Sequence, residues 1–331
     1  MAVLVTGATG LIGSHVVDLL VEKGENVRAF TRPNESVDRL VKQGVDICRG
    51  DMKDRDSLTA AVAGVERVIH CAAHTGAWGP KEEYEAVNVR GLEDLLELAL
   101  AAGTERFVHV SSVTVHGNDL HGSGDETIPF RIEPNPYSRS KVMGERVVEK
   151  YIRDYHAPVT IVRPGWVYGA RDTTSFASFA KRTLQGRMIV IGSGNNRVPL
   201  IYVTDVADGI VRASFTAGVE GCAYILVNDE PVTQSDYLNC IATELGVPSP
   251  KIHLPYQVSL LLAKILERVG HTFHLRRPPP ITVHGMHLFG GESRFIIDKA
   301  RRELKFSPKV NLKDGVRKGI SWFKSEYYAE R

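Results

Sequence analysis

The chain has 331 residues, 43% hydrophobic and 24% charged, as expected of a globular enzyme of one large domain or two. Lysine plus arginine number 41 against 39 acidic residues, and this net charge of +2 with no basic stripe argues against a nucleic-acid partner. Cys48, Cys71, Cys222 and Cys240 are scattered without metal-ligand spacing, so no metal is expected, and a reduced cytoplasmic location is.

Ala2–Thr6 reads as a short buried strand, and because the first residues are already strand and loop, no leader peptide is expected. Gly7-Ala8-Thr9-Gly10-Leu11-Ile12-Gly13 follows at once, ahead of a helical pattern over Ser14–Lys23. Strand, glycine turn and helix N-terminus together make an anion site. Amide N–H groups and the helix dipole face a pyrophosphate, and the glycines let phosphates approach the backbone. Further strand runs occur at Asn26–Thr31, Val45–Arg49, Arg67–Ala72, Arg106–Ser112 and Val159–Arg163. Helical patterns lie between them at Val37–Gln43, Arg55–Val62, Tyr84–Ala102 and Ser138–Tyr155. This alternation predicts an α/β fold, a Rossmann-type doubly wound parallel sheet with helices on both faces.

From about Arg171 the pattern loosens. Helices are expected at Ser175–Gln185, Asp205–Phe215, Gln234–Leu245 and Gln257–Val269, and strands at Met188–Ile191 and Ala223–Val227. Residues 1–170 therefore read as a nucleotide-binding domain and 171–331 as a smaller substrate-binding region, partly interleaved with it. The apolar stretch near Val258–Ile265 is broken by Lys264 and is too short to span a bilayer. Ile252–Val269 fits either the wall of an apolar pocket or an ordinary amphipathic core helix. Arg276, Arg277, His284 and His287 read as a solvated loop, with a peripheral membrane contact as the alternative.

Two features carry chemistry. Tyr137-Ser138-Arg139-Ser140-Lys141 places a phenol and an ammonium on one face of a helix. An ammonium beside a phenol favours the phenolate and is expected to lower the tyrosine pKa, as suits a general acid–base for a carbonyl/alcohol pair. Taken alone, the same spacing also fits a solvated helix face. Ser111-Ser112 ends a strand at the edge where ligands bind in open α/β sheets, and a hydroxyl there can donate to a carbonyl oxygen. His116, His121, Asp119 and Asp125 crowd one loop without the fixed spacing of a metal site. His70, on a buried strand, reads as a hydrogen-bonded core residue. Trp78 and Tyr84 either close over substrate or pack the helix that follows.

These elements, in this order, resemble the extended short-chain dehydrogenase/reductase family over essentially the whole chain. Thr6-Gly7-Ala8-Thr9-Gly10-Leu11-Ile12-Gly13 is similar to its Thr-Gly-x-x-Gly-x-x-Gly loop, Gly50-Asp51-Met52 to its adenine-contacting turn, and His70-Cys71-Ala72-Ala73 to its fourth-strand segment. Asn88-Val89-Arg90-Gly91 is similar to its Asn-x-x-Gly helix start, Arg163 to Gly169 to its nicotinamide-side strand and loop, and Tyr202 to Ala207 to its Asp-Val-Ala element. The resemblance implies Ser112, Tyr137 and Lys141 as the catalytic set. It implies cofactor contacts at Gly7, Thr9, Gly10, Leu11, Ile12, Gly13, Arg32, Asp51, Met52, Cys71, Ala72, Ala73, Ser111, Tyr137, Lys141, Pro164, Gly165 and Val167. Asp51 accepts from adenine, Lys141 holds the nicotinamide ribose, and Thr75, Trp78, Ser112 and Thr114 face substrate. His116 stands where the family usually has tyrosine.

The end of the second strand, Phe30-Thr31-Arg32, lacks the acidic residue that binds both ribose hydroxyls of NAD, and Arg32 is suited to a 2′-phosphate. NADP(H) is therefore expected, with NAD(H) as the alternative. Ser111-Ser112-Val113 lacks the acidic pair of dehydratases. Ala72 to Pro80 and Phe295 to Pro308 resemble the 3β-hydroxysteroid dehydrogenase-like branch, which implies an oxidoreductase acting on a ketone or secondary alcohol of a bulky apolar small molecule, steroid or 3-oxoalkanoate in type. The alternatives are a nucleotide-sugar epimerase with tightly held NAD, using Arg197 for the diphosphate, and a redox sensor that binds NADP without chemistry. The family also implies a homodimer.

Overall fold

The computed structural model describes residues 2–76, 78–120, 122–275 and 277–328. Among these, seven parallel strands form the central sheet: β1 (Ala2–Thr6), β2 (Asn26–Thr31), β3 (Asp46–Arg49), β4 (Arg67–His70), β5 (Arg106–Val110), β6 (Val159–Pro164) and β7 (Ala223–Leu226). Their spatial order is β7-β6-β5-β4-β1-β2-β3. β5 and β6 are buried along their whole length, as parallel strands covered on both faces must be. On one face α1 (Leu11–Glu22) packs against the sheet beside the helix Val203–Phe215, with Val16, Val17, Leu20, Ile210 and Val211 in the core. On the other, Leu58, Leu92, Leu95, Leu96 and Val148 cover Leu4, Val68, Phe107 and Val159. The chain runs outward from β1 to β3 and then crosses to β4. The strand order thus reverses between β1 and β4, which opens a crevice at the carboxyl ends there.

The helix that carries Tyr137 and Lys141 is α2 (Pro136–Tyr155). It starts sharply because Asn135 accepts from the Ser138 amide at 2.8 Å and proline occupies the first turn. Its buried stripe, Ser138, Lys141, Val142, Glu145 and Val148, has helical spacing. Glu145 is fully buried and pairs with Arg163 of β6 at 2.6 Å, while Ser111 donates to the same carboxylate at 2.5 Å.

The helix expected at Tyr84–Ala102 is interrupted. It runs as Lys81–Glu85, a wider π-type turn Ala86–Gly91, and Leu92–Ala101. Asn88 turns inward there, donates to Ser140 at 2.8 Å and exchanges two hydrogen bonds with the backbone of His74. Such turns gather at functional sites.

Beyond Tyr168 the chain both returns to the central sheet and leaves it. Val203–Phe215 and β7 return to the central sheet, and the rest builds a second core around Trp166, Tyr168, Phe176, Tyr237 and Phe289. Two helices of this part lie on one side of the crevice: α4 (Val283–Gly290), which borders it, and α3 (Tyr256–Thr272), which packs on α4. His284 and His287, expected on a solvated loop, stand on α4, which Thr282 caps by accepting from the Gly285 amide. The expected apolar wall over Ile252–Val269 is not a pocket wall. α3 rests on Ser259, Leu260, Ala263 and Gly270, and turns Val258, Leu261, Leu262, Ile265 and Val269 to solvent. Arg276, His121 and Ala77 lie outside the described residues. No helix among the described residues is long and apolar enough to cross a membrane.

Glu145→Ala strands the Arg163 guanidinium inside the fold. It is expected to cost roughly 3–5 kcal/mol in urea unfolding, and a loss below about 1 kcal/mol would show that the pair carries no such weight.

Candidate active site

β1 ends in a turn that only glycine fits. Gly7 has φ +66°, and a Cβ there would lie 2.8 Å from the Ala72 nitrogen; at Gly13 it would lie 2.2 Å from the Gly7 oxygen. The Thr6 hydroxyl bonds His70 Nδ1 at 2.8 Å and accepts from the Ala72 amide at 3.1 Å, which locks the ends of β1 and β4 together. His70 is thus the bonded core residue expected.

A cavity of about 1360 Å³ opens above this turn and follows the carboxyl ends of β1 to β6. The glycine cradle, the N-terminus of α1 and the length of the trough fit a dinucleotide with its pyrophosphate at the turn. Every residue expected to touch cofactor or substrate lines the cavity except Lys141 and Trp78. Lys141 lies beneath it. Trp78 points elsewhere: its indole donates to the Leu275 carbonyl at 2.9 Å and stacks on His271, so it fastens the loop after β4 to α3. Tyr84 is buried in packing and donates to the Trp78 carbonyl at 3.1 Å.

At the far end of the trough stand Ser112 and Tyr137. Both line the cavity, and the Tyr137 ring stands edge-on to His284, 6.3 Å away between centroids. Burial pushes the phenol up to about 12, and the Ser112 side chain only partly offsets this. This differs from the lowering expected of a nearby ammonium. Lys141 is instead turned onto the carbonyl of Val110, at 2.9 Å, and its own pKa falls to about 8 through burial, with Glu145 opposing the fall. In this state Tyr137 holds its proton firmly, as a proton donor must at neutral pH.

The surrounding bonds fix these positions. Thr114, expected to face substrate, bonds Ser138 at 2.7 Å and so ties the turn after Ser112 to α2. The Ser111 side chain is committed to Glu145. His116 is buried against Arg163 at 3.2 Å and does not line the cavity; burial lowers it to about 4. Burial pushes the Cys71 thiol up to about 12. Among the described residues no group of three His, Cys, Asp or Glu side chains is arranged to hold a metal.

Several residues of this region escaped the sequence reading. Glu35 lines the other end of the trough, bonds the Thr9 hydroxyl, and pairs with Arg32 at 2.5 Å. Arg49 holds that loop by donating to the carbonyls of Arg32 and Glu35 at 2.9 and 2.7 Å. On the opposite side Glu133 is buried and accepts from the Asn118 amide at 2.8 Å and its side chain at 2.7 Å, with His284 and His287 each 3.9 Å away. Burial alone would raise the Glu133 pKa, but the nearby His284 and the bond from the Asn118 amide outweigh it and lower it. Glu145 had one signal in the sequence, its place one turn beyond Lys141 on the same face.

Residues 3–224 match the family model described as the NAD dependent epimerase/dehydratase family. The chain belongs to that family. It is an NAD(P)-dependent enzyme of the extended short-chain dehydrogenase/reductase group, as its ordered motifs imply. A 2-alkyl-3-oxoalkanoate reductase of Stenotrophomonas maltophilia (strain K279a) is 29% identical, with 96% of this chain and 98% of the relative aligned. Sterol demethylase protein B of Methylococcus capsulatus is 31% identical, with 98% of each covered. The crystal structure of UDP-glucuronic acid 4-epimerase from Bacillus cereus in complex with NAD superposes with a TM-score of 0.81 over 100% of this chain and 99% of that one; at 23% identity this likeness shows the fold.

The Arg32–Glu35 pair sets up a test of dinucleotide preference, because a 2′-phosphate must draw Arg32 away from a carboxylate. Arg32→Ala should weaken NADPH about tenfold more than NADH, and Glu35→Gln should shift the ratio toward NADPH by a similar factor. Dissociation constants from cofactor fluorescence read both changes, and equal effects on the two cofactors would contradict the assignment.

Proposed function

We propose that the protein interconverts a ketone and a secondary alcohol on a bulky apolar small molecule of the 3-oxoalkanoate or 3β-hydroxysteroid type, using NADP(H). The observation that carries this reading is that Ser112 and the protonated Tyr137 line the same trough, with Lys141 buried one turn along the helix of Tyr137. The nicotinamide, when bound, supplies or accepts the hydride.

The chain's own residues do the rest. Ser112 donates to the substrate oxygen as negative charge gathers on it. Tyr137 gives that oxygen a proton in reduction and takes one in oxidation. Lys141, anchored on Val110, would hold the cofactor ribose and stabilise the phenolate left after proton transfer. Asn88 and Thr114 keep α2 and the serine turn in register, which preserves near-contact distances between reacting groups. Ala86, Val87, Trp166 and Leu288 offer apolar surface in the same cavity. The similarity to a 2-alkyl-3-oxoalkanoate reductase and to sterol demethylase protein B favours the same substrate classes.

The nucleotide-sugar reading draws less support. Arg197, the cation it would use, pairs with Glu292 at 3.0 Å and lines a separate, smaller cavity. Tyr137→Phe is expected to lower kcat at least about a thousandfold for ketone reduction while leaving the NADPH dissociation constant within about threefold. Turnover preserved in that variant would remove Tyr137 from the chemistry.

A further inference from the structure

The outer face of α3 is unusual for a surface helix. Val258, Leu261, Leu262, Ile265, Val269 and Phe273 form one continuous stripe, with Leu261 60%, Ile265 51% and Phe273 72% exposed. Their spacing gathers them on one side of the helix, turned away from Ser259, Ala263 and Gly270, on which the helix rests. Contiguous apolar area of this kind marks an interaction surface. Ile252 and Leu275, both exposed, extend it at the two ends of the helix.

Charge says what covers it. Lys264 and Arg268 flank the stripe on one side, and Lys251 and Arg277 lie beyond its ends, all exposed. From residue 251 to 277 the sole carboxylate is Glu267, which turns inward and accepts from the Val283 amide at 2.8 Å. A second copy of this chain set twofold against the stripe would bring these cations together with no exposed carboxylate from the segment to pair with them. A surface of lipid phosphates under an acyl layer satisfies both the apolar stripe and the cations at its edge.

We propose that the outer face of α3 docks the protein on an anionic lipid bilayer, with the apolar stripe entering the acyl boundary and Lys264 and Arg268 on the headgroups. The face lies one helix away from the trough. α3 packs on α4, which supplies His284 and Leu288 to the cavity, and Trp78 ties the loop after β4 to the end of α3. This surface is separate from Ser112, Tyr137 and Lys141, so its test does not depend on their role.

Co-sedimentation of the full chain with vesicles tests it. The protein should sediment with phosphatidylcholine/phosphatidylglycerol vesicles, far less with phosphatidylcholine alone, and less as salt rises. Leu261→Asp with Ile265→Asp should abolish binding. Lys264→Glu with Arg268→Glu should weaken it by about fivefold or more for each cation removed. Val41→Asp, which changes an exposed apolar residue elsewhere, should leave it intact. Circular dichroism and NADPH binding should be unchanged in all variants. Protein that stays in the supernatant with every vesicle overturns the proposal, as does an Asp variant that sediments like the parent. Light scattering that shows a dimer converted to monomer by the same Asp pair, without vesicle binding, would assign the face to a second copy instead.

Discussion

An ammonium buried beneath the end of β5 is the constraint around which this molecule is arranged. Lys141 has little solvent and one backbone acceptor, Val110. Burying such a charge costs several kcal/mol unless other charges answer it. Glu145, one turn along the same helix face, answers it, and Arg163 on β6 in turn balances Glu145. The bonding continues through the Ser111 hydroxyl and the His116 ring, so α2 is pinned to β5 and β6 by this buried network. Stability and chemistry draw on the same bonds. In the proposed reaction, the cost of an ammonium in the interior is accepted where a phenolate has to form.

The other half of the site depends on close backbone approach rather than charge. The turn after β1 holds Gly7 against Ala72 and Gly13 against Gly7, which leaves the N-terminus of α1 open to a pyrophosphate. Farther along, the trough ends at a carboxylate paired with an arginine, so a cofactor bound as proposed would meet both an attraction and a repulsion for a 2′-phosphate there. At the substrate end the mixture is different: one phenol, one hydroxyl, one histidine braced by a buried carboxylate, and apolar walls.

Much of this was legible in the sequence because it is local. β1 and β2 were expected over the residues they occupy, since a valine-rich run followed by a turn leaves little freedom. The glycine loop, Ser112, Tyr137 and Lys141 were visible as ordered motifs. What escaped depends on partners far along the chain. Trp78 looked like a cavity residue, but its indole is claimed by Leu275, nearly two hundred residues away. The break at Ala86–Gly91 follows from Asn88 reaching Ser140. α4 was hidden by Gly285 and Gly290 and by the prolines before it, which read as loop. The apolar pattern of α3 was seen, but periodicity alone cannot say which side faces the core; small residues at 259, 263 and 270 decided it by allowing close packing. The tyrosine pKa went the other way from expectation because burial at that site outweighs any pull from Lys141.

The central claim is that the trough hands a hydride between a nicotinamide and a small-molecule carbonyl, with net change in both. Isotope transfer tests this most directly. The protein would be incubated with NADPH deuterated at the transferable C4 position and a panel of β-keto acids, β-keto esters and steroid ketones, with products read by mass spectrometry. The account predicts a secondary alcohol carrying one deuterium on its carbinol carbon, in step with NADP⁺ formed. Cofactor that keeps its deuterium with every ketone, while a nucleotide sugar is epimerised without net oxidation, would contradict it.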